Sequence, residues 1–181
     1  MDELALEAKA LMLDAIENFK TALGTLRTGR ANAAILDGIE VEYYGDKIAL
    51  NQIAAISIPE ARQLLIKPYD KNDLKAISAA ISSSNLGLVP NNDGTQIRLN
   101  IPALTEERRK EIVRQGKKYT EECKVNVRNT RRDYMSILKD DKESSEDYIK
   151  RVEKEIQDVT DECIKQIDEL MANKEKEIMA I

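Results

Sequence analysis

From Val113 onward, apolar and small residues return at alternating steps of three and four: Val113, Gly116, Thr120, Cys123, Val127, Thr130, Tyr134 and Ile137. This spacing belongs to a helix that buries one seam against a partner helix. Thr105 is the expected N-cap, and Glu106 and Glu107 place negative charge on the first turn, where the helix dipole favours it. Lys139 to Lys142 form a short polar turn, and Ser144 with Asp147 predicts a capping-box start to a second helix. Along that helix Ile149, Val152, Ile156, Val159, Cys163 and Leu170 carry the same pattern. Two successive helices of about 35 residues joined by a tight turn have to be antiparallel neighbours, roughly 50 Å long. Folding the chain about residues 141–143 sets Cys123 and Cys163 level with one another, both facing inward.

A two-helix hairpin leaves half its seam in water, so a third helix is needed. The segment from Glu3 to about Leu26 fits: Ala5, Met12, Phe19 and Leu26 recur every seven residues. Ala8, Ala15 and Ala22 fall three further on, with Ile16 and Leu23 beside them, a wide stripe whose small members permit close helix approach.

Between these helical stretches the period changes to two. Ile39-Glu40-Val41-Glu42-Tyr43 alternates, and Tyr44-Gly45-Asp46-Lys47 supplies turn residues before Ile48-Ala49-Leu50. Ile53–Ile58 and Leu64-Leu65-Ile66 read as further strands bounded by Pro59 and Pro68. Asn72 to about Ser84 is a short helix with Leu74, Ile77 and Ile81 on one face, and Gln96–Asn100 is a last strand after the Asn92-Asp93-Gly94 turn. The expected fold is therefore α+β. A long antiparallel three-helix bundle is made from residues 1–29 and 105–181, and a small mixed α/β domain, a sheet plus one helix, is inserted as residues 30–104. The linkers around Gly29 and Pro102 predict a hinge, with a rigid junction as the alternative.

Composition narrows the function. Charged residues are 34% of the chain, above the roughly 25% of ordinary domains, and aromatics only 4%, with no Trp and Phe19 alone as Phe. There is no histidine, which removes His-based acid–base chemistry, His metal ligands and Cys–His nucleophiles together. Cys123 and Cys163 make no metal or CxxC spacing and are expected to be reduced core thiols. Gly24-Thr25-Leu26-Arg27-Thr28-Gly29-Arg30-Ala31 looks like a phosphate loop but has Arg for the lysine, Ala for the magnesium-binding hydroxyl, and a helix in place of the preceding strand. No enzyme, metal, cofactor or small-molecule substrate is expected. No apolar run approaches the ~20 residues of a membrane span, and Met1-Asp2-Glu3 is unlike a basic secretory or transit signal. The expected location is the cytoplasm.

Charge partition points to a partner. From Thr105 to Lys139 there are eleven basic residues against six acidic ones, whereas Glu143 to Glu177 holds twelve acids against six bases. The overall charge of −5 thus hides a basic helix beside an acidic one. Lys110, Lys117, Lys124 and Arg131 share one heptad position, and Arg114 and Arg128 lie on the adjoining one with only Glu121 interrupting. Such a stripe suits phosphate binding. The alternative, pairing with the acidic helix, accounts for some lysines. It accounts less well for Arg128, Arg131 and Arg132, whose planar forks favour bidentate phosphate contact.

Those arginines sit in Val127-Arg128-Asn129-Thr130-Arg131-Arg132-Asp133, which resembles the signature of the ribosome recycling factor family. Arg27-Thr28-Gly29-Arg30-Ala31 resembles that family's first hinge, and Leu36 to Gly45 its first hairpin. Asn85-Leu86-Gly87-Leu88 and Leu104-Thr105-Glu106-Glu107-Arg108-Arg109-Lys110 resemble the segments leading to and through its second hinge. Thr130 and Asn100-Ile101-Pro102-Ala103 are local variants.

The resemblance implies a monomeric factor that enters the empty tRNA sites of a post-termination 70S ribosome. With GTP-bound elongation factor G it splits the subunits and frees mRNA and tRNA, hydrolysing nothing itself. It implies contact with large-subunit ribosomal RNA by Arg128, Arg131 and Arg132, to which the charge stripe adds Lys124, Lys117, Arg114 and Lys110. Arg27, Thr28, Gly29 and Arg30, with Pro102, Ala103 and Leu104, are the implied hinge. At 1.5 Å per residue, Arg131 is roughly 39 Å along its helix from Thr105. Two other readings remain at this point: a helical adaptor or scaffold without a ribosomal role, and a general RNA- or DNA-binding protein, against which the net charge argues.

Overall fold

The computed structural model describes residues 1–180. In chain order the helices are α1 (Glu3–Gly24), α2 (Leu50–Ile53), α3 (Leu74–Ser82), α4 (Glu106–Asp140) and α5 (Glu146–Met179). The strands are β1 (Glu40–Tyr43), β2 (Asp46–Ala49), β3 (Ala54–Glu60), β4 (Gln63–Pro68), β5 (Pro90–Asn92) and β6 (Ile97–Asn100). The fold is α+β, in two compact units. One is Met1–Thr28 with the chain from Thr105 on, and the other is Gly29–Leu104.

In the first unit α1, α4 and α5 pack as a bundle. Tyr134 Oη donates to Glu7 at 3.5 Å, the Cys123 thiol reaches the Ala15 carbonyl at 3.5 Å, and Leu26 lies against Gly116. These three pairings run in opposite chain directions, so α1 is antiparallel to α4. It is parallel to α5, as Asp2 beside Tyr148 and Met12 beside Thr160 together show. Ala5, Ala8, Met12, Ile16, Phe19 and Leu23 of α1 are all buried, the face its apolar period marks. Each helix start is capped, by Asp2 on Leu4 N–H, Thr105 on Arg108 N–H and Ser145 on Tyr148 N–H.

Two details of the long helices differ from the sequence reading. The α5 cap is Ser145, not Ser144, because the Asp141 carboxylate accepts the N–H groups of Glu143 and Ser144, both at 3.0 Å, and holds Ser144 in the turn. Hydrogen bonds from Ser144 and Glu143 keep the Asp141 carboxyl below its usual range. The seam also drifts. Val113 through Val127 are buried as the spacing predicts, but Ile137 is 51% exposed and Leu138 is buried in its place. On α5 Leu170 is half-buried and Met171 buried. A straight α-helix rotates about 20° per heptad against a 3.5-residue repeat, so after several heptads the inward line passes to the next residue.

Cys123 and Cys163 are buried, unbridged thiols, and burial pushes the Cys123 thiol up to about 11. Thiolate is the reactive form, so both should resist alkylation at pH 8 in the native protein and label rapidly in denaturant. Equal labelling in both states, read by mass spectrometry, would contradict this packing.

In the second unit β1 and β2 form a hairpin through Tyr44 and Gly45, both at positive φ (48° and 86°). Positive φ at both central residues is the geometry a two-residue hairpin turn needs. A separate antiparallel sheet has the order β3-β4-β6-β5. Leu64, Ile66, Ile97 and Leu99 alternate onto one face and meet Leu74, Ile77 and Ile81 of α3 in a single core. Pro68 ends β4 as expected, but Pro59 lies within β3 and does not bound it. β3 is an edge strand whose register shifts between Ser57 and Glu60, a site where a missing N–H costs no ladder bond. The polar strand β5 and the one-turn helix α2 carry no periodicity and escape the sequence reading. The unit's two chain ends meet: a Cβ on Gly29 (φ 77°) would stand 3.7 Å from the Leu104 side chain.

The bundle is tight at Gly116, where a Cβ would stand 2.8 Å from Met171 Cε and 3.2 Å from Leu26 Cδ1. An alanine there can be met by swinging the flexible Met171 end aside. A branched side chain cannot, and Gly116→Val should destabilise the protein by about 1–3 kcal/mol, read as a lower melting temperature with G116A much less affected.

Candidate nucleic-acid interface

The stripe on α4 does not survive as one uniform face. Lys110, Arg114, Lys117, Arg128 and Arg132 are exposed, while Lys124 and Arg131 are half-buried against α5. The Lys124 ammonium lies 2.6 Å from the Asp168 carboxylate, with only 15% of its side chain exposed. The Arg131 guanidinium donates to Gln157 Oε1 at 3.2 Å, and Gln157 in turn donates to Asp161 at 2.9 Å. The same drift that buries Leu138 carries this heptad position toward α5. Pairing with the acidic helix thus accounts for Lys124. Lys110 has a weaker partner, Glu106 at 3.3 Å on its own helix.

Arg132 is exposed, its only side-chain hydrogen bond among the described residues going to Asn129 at 2.7 Å one turn back. It and Arg131 border an open groove of about 760 Å³ between the end of α4 and the start of α5. Met135, Glu153 and Gln157 are half-buried in its lining, and Lys139, Lys150 and Lys154 are exposed around it. Lys110, Arg114, Lys117, Lys124 and Arg128 do not border this groove. Lys150 and Lys154 were missed because α5 sums to a strong negative charge. Their signal was local: three of its six bases, Lys150, Arg151 and Lys154, fall within five residues near the helix start.

Among the residues expected to form a hinge, Arg27, Arg30, Pro102 and Ala103 are exposed and Thr28, Gly29 and Leu104 half-buried. Among the described residues no helix is long and apolar enough to cross a membrane.

The family model for ribosome recycling factor matches residues 19–179. The chain belongs to the ribosome recycling factor family. Ribosome-recycling factors from Streptococcus pneumoniae strains Hungary19A-6 and G54 (serotype 19F) are 50% identical to it over 178 residues, 97% of this chain and 96% of each relative. A solution structure of the ribosome recycling factor superposes with a TM-score of 0.75 at 42% identity, covering 100% of both chains. A second similar structure comes from models for the T. thermophilus ribosome recycling factor and the E. coli elongation factor G bound to the E. coli post-termination complex. There the TM-score is 0.60 at 46% identity, over 98% of each chain. The function that comes with this family is ribosome recycling.

The two lysine environments separate experimentally. Lys117→Gln should leave the melting temperature unchanged, since Lys117 is exposed and makes no ion pair among the described residues. Lys124→Gln removes the partner of Asp168 and should cost about 0.2–1 kcal/mol. Equal melting temperatures for the two variants, from parallel thermal scans, would overturn the assignment of Lys124 to the helix interface.

Proposed function

We propose that this chain binds the post-termination ribosome through the basic surface of α4 and, with GTP-bound elongation factor G, separates the subunits to release mRNA and tRNA. The observation that carries this is the arginine cluster Arg128, Arg131 and Arg132 on a chain built like one placed in a post-termination complex. Arg128 and Arg132 are exposed for phosphate contact, and Arg131 is held in a fixed pose by Gln157. Fixed guanidinium forks give bidentate phosphate contact at low entropic cost. Lys110, Arg114 and Lys117 add exposed charge along the same helix.

The factor acts as a monomer in the cytoplasm and is not an enzyme: GTP is hydrolysed on its partner. Residues 30–104 serve as a domain that moves relative to the bundle, with Arg27, Thr28, Gly29, Arg30, Pro102, Ala103 and Leu104 at the hinge. Anchoring α4 on large-subunit RNA while elongation factor G pushes the inserted domain turns that motion into a lever.

Arg132→Glu should abolish binding to isolated large subunits in a sedimentation assay while leaving the melting temperature unchanged, because among the described residues its side chain bonds only to Asn129 of its own helix. Wild-type binding should weaken steeply with salt, whereas a scaffold without an RNA role would bind salt-insensitively. A covalent cross-link between the two units should preserve binding but block subunit splitting. Full splitting by the locked protein would refute the lever.

A further inference from the structure

We infer that the RNA contact is a two-walled cleft, in which Lys150 and Lys154 of the acidic helix α5 hold the same RNA strand that Arg131, Arg132 and Lys139 hold from α4. The inference rests on the large-subunit contact proposed above and extends it to a second helix. Five cations border the groove between the end of α4 and the start of α5, against the two carboxylates of Glu153 and Asp158. None of the five makes an ion pair among the described residues, although α5 offers twelve acids between Glu143 and Glu177.

The placement is costly unless a ligand uses it. Like charges gathered around one groove repel, and Lys150 and Lys154 are a like-charge pair four residues apart on one helix. Lys150 and Lys154 are both exposed and lie four residues apart, one above the other on a single face, roughly 6 Å along the axis. Among the half-buried lining residues Met135 is apolar, Gln157 is hydrogen-bonded to Arg131 and Glu153 is acidic, while the exposed cations Arg132, Lys139, Lys150 and Lys154 stand around them. That combination fits a nucleic-acid strand, with phosphates on the rim and a sugar or base edge over Met135. An acidic protein segment would present carboxylates without that flat apolar complement.

The test uses the full chain and isolated large ribosomal subunits, with affinity measured across a salt series. Lys150→Gln/Lys154→Gln should weaken binding about tenfold near 0.1 M salt and flatten the log–log salt slope by about 1.5, two phosphate contacts' worth. Lys165→Gln/Lys176→Gln removes the same charge from the same helix away from the groove and should change neither quantity. Thermal scans should show all three proteins equally folded, since the four lysines are exposed. If the groove variant matches the control while Arg132→Glu still loses binding, the second wall is wrong and the α4 contact stands. If wild type itself fails to bind large subunits, both fall together.

Discussion

One dry seam shared by three long helices holds the larger unit together, and it decides where every charge on that unit goes. The seam is thin. Aromatic side chains are scarce, so small residues and aliphatics fill it, and at Gly116 the helices close until the Met171 thioether and Leu26 nearly occupy a methyl's place. A core of that kind admits few polar side chains, Thr120 and Thr160 each donating to a carbonyl of its own helix, and leaves little choice about rotation. Once Val113, Cys123, Val127 and Leu138 face inward, each lysine and arginine of α4 is pointed in a determined direction.

The rotation is not that of an ideal coiled coil. Because α4 keeps close to 3.6 residues per turn, the inward line shifts by one position between Val127 and Leu138. The shift has chemical consequences on the basic side. Lys124 and Arg131, which a strict seven-residue repeat leaves on the solvent face, are drawn to the α5 boundary. One is neutralised there by Asp168, and the other is braced by Gln157 at the mouth of a groove. A small mismatch in helical pitch thus converts two members of a surface stripe into a structural ion pair and an oriented guanidinium.

Much of this was legible from the chain alone. The three long helices show in the sequence because burial imposes its period on every residue that must face inward, and β1, β4 and β6 show because Val41, Leu64, Ile66, Ile97 and Leu99 alternate. What escaped was whatever burial does not pattern. Strand β5, Pro90-Asn91-Asn92, has no apolar alternation of its own and is held by its ladder to β6 and its contact with α3, and Pro59 sits where an edge strand changes register. Ile137 was placed inward because repeat counting accumulates error with length. On the functional side, Arg128, Arg131 and Arg132 stood out as a local cluster. Lys150 and Lys154 did not, because a charge summed over all of α5 conceals three cations near its start.

The meeting of Gly29 with Leu104 bears on the order in which the molecule is built. The first unit is discontinuous, so α1 has to find α4 and α5 across the whole length of Gly29–Leu104. Closing a flexible loop of that length costs roughly 4 kcal/mol in chain entropy. The inserted unit has its own core, and its folding brings its two ends into contact. Once it has formed, α1 and α4 are no longer distant in the chain but neighbours across a short connection. Assembly of the three helices then resembles joining consecutive ones. Substitutions that loosen the sheet are thereby expected to slow formation of a bundle they never touch.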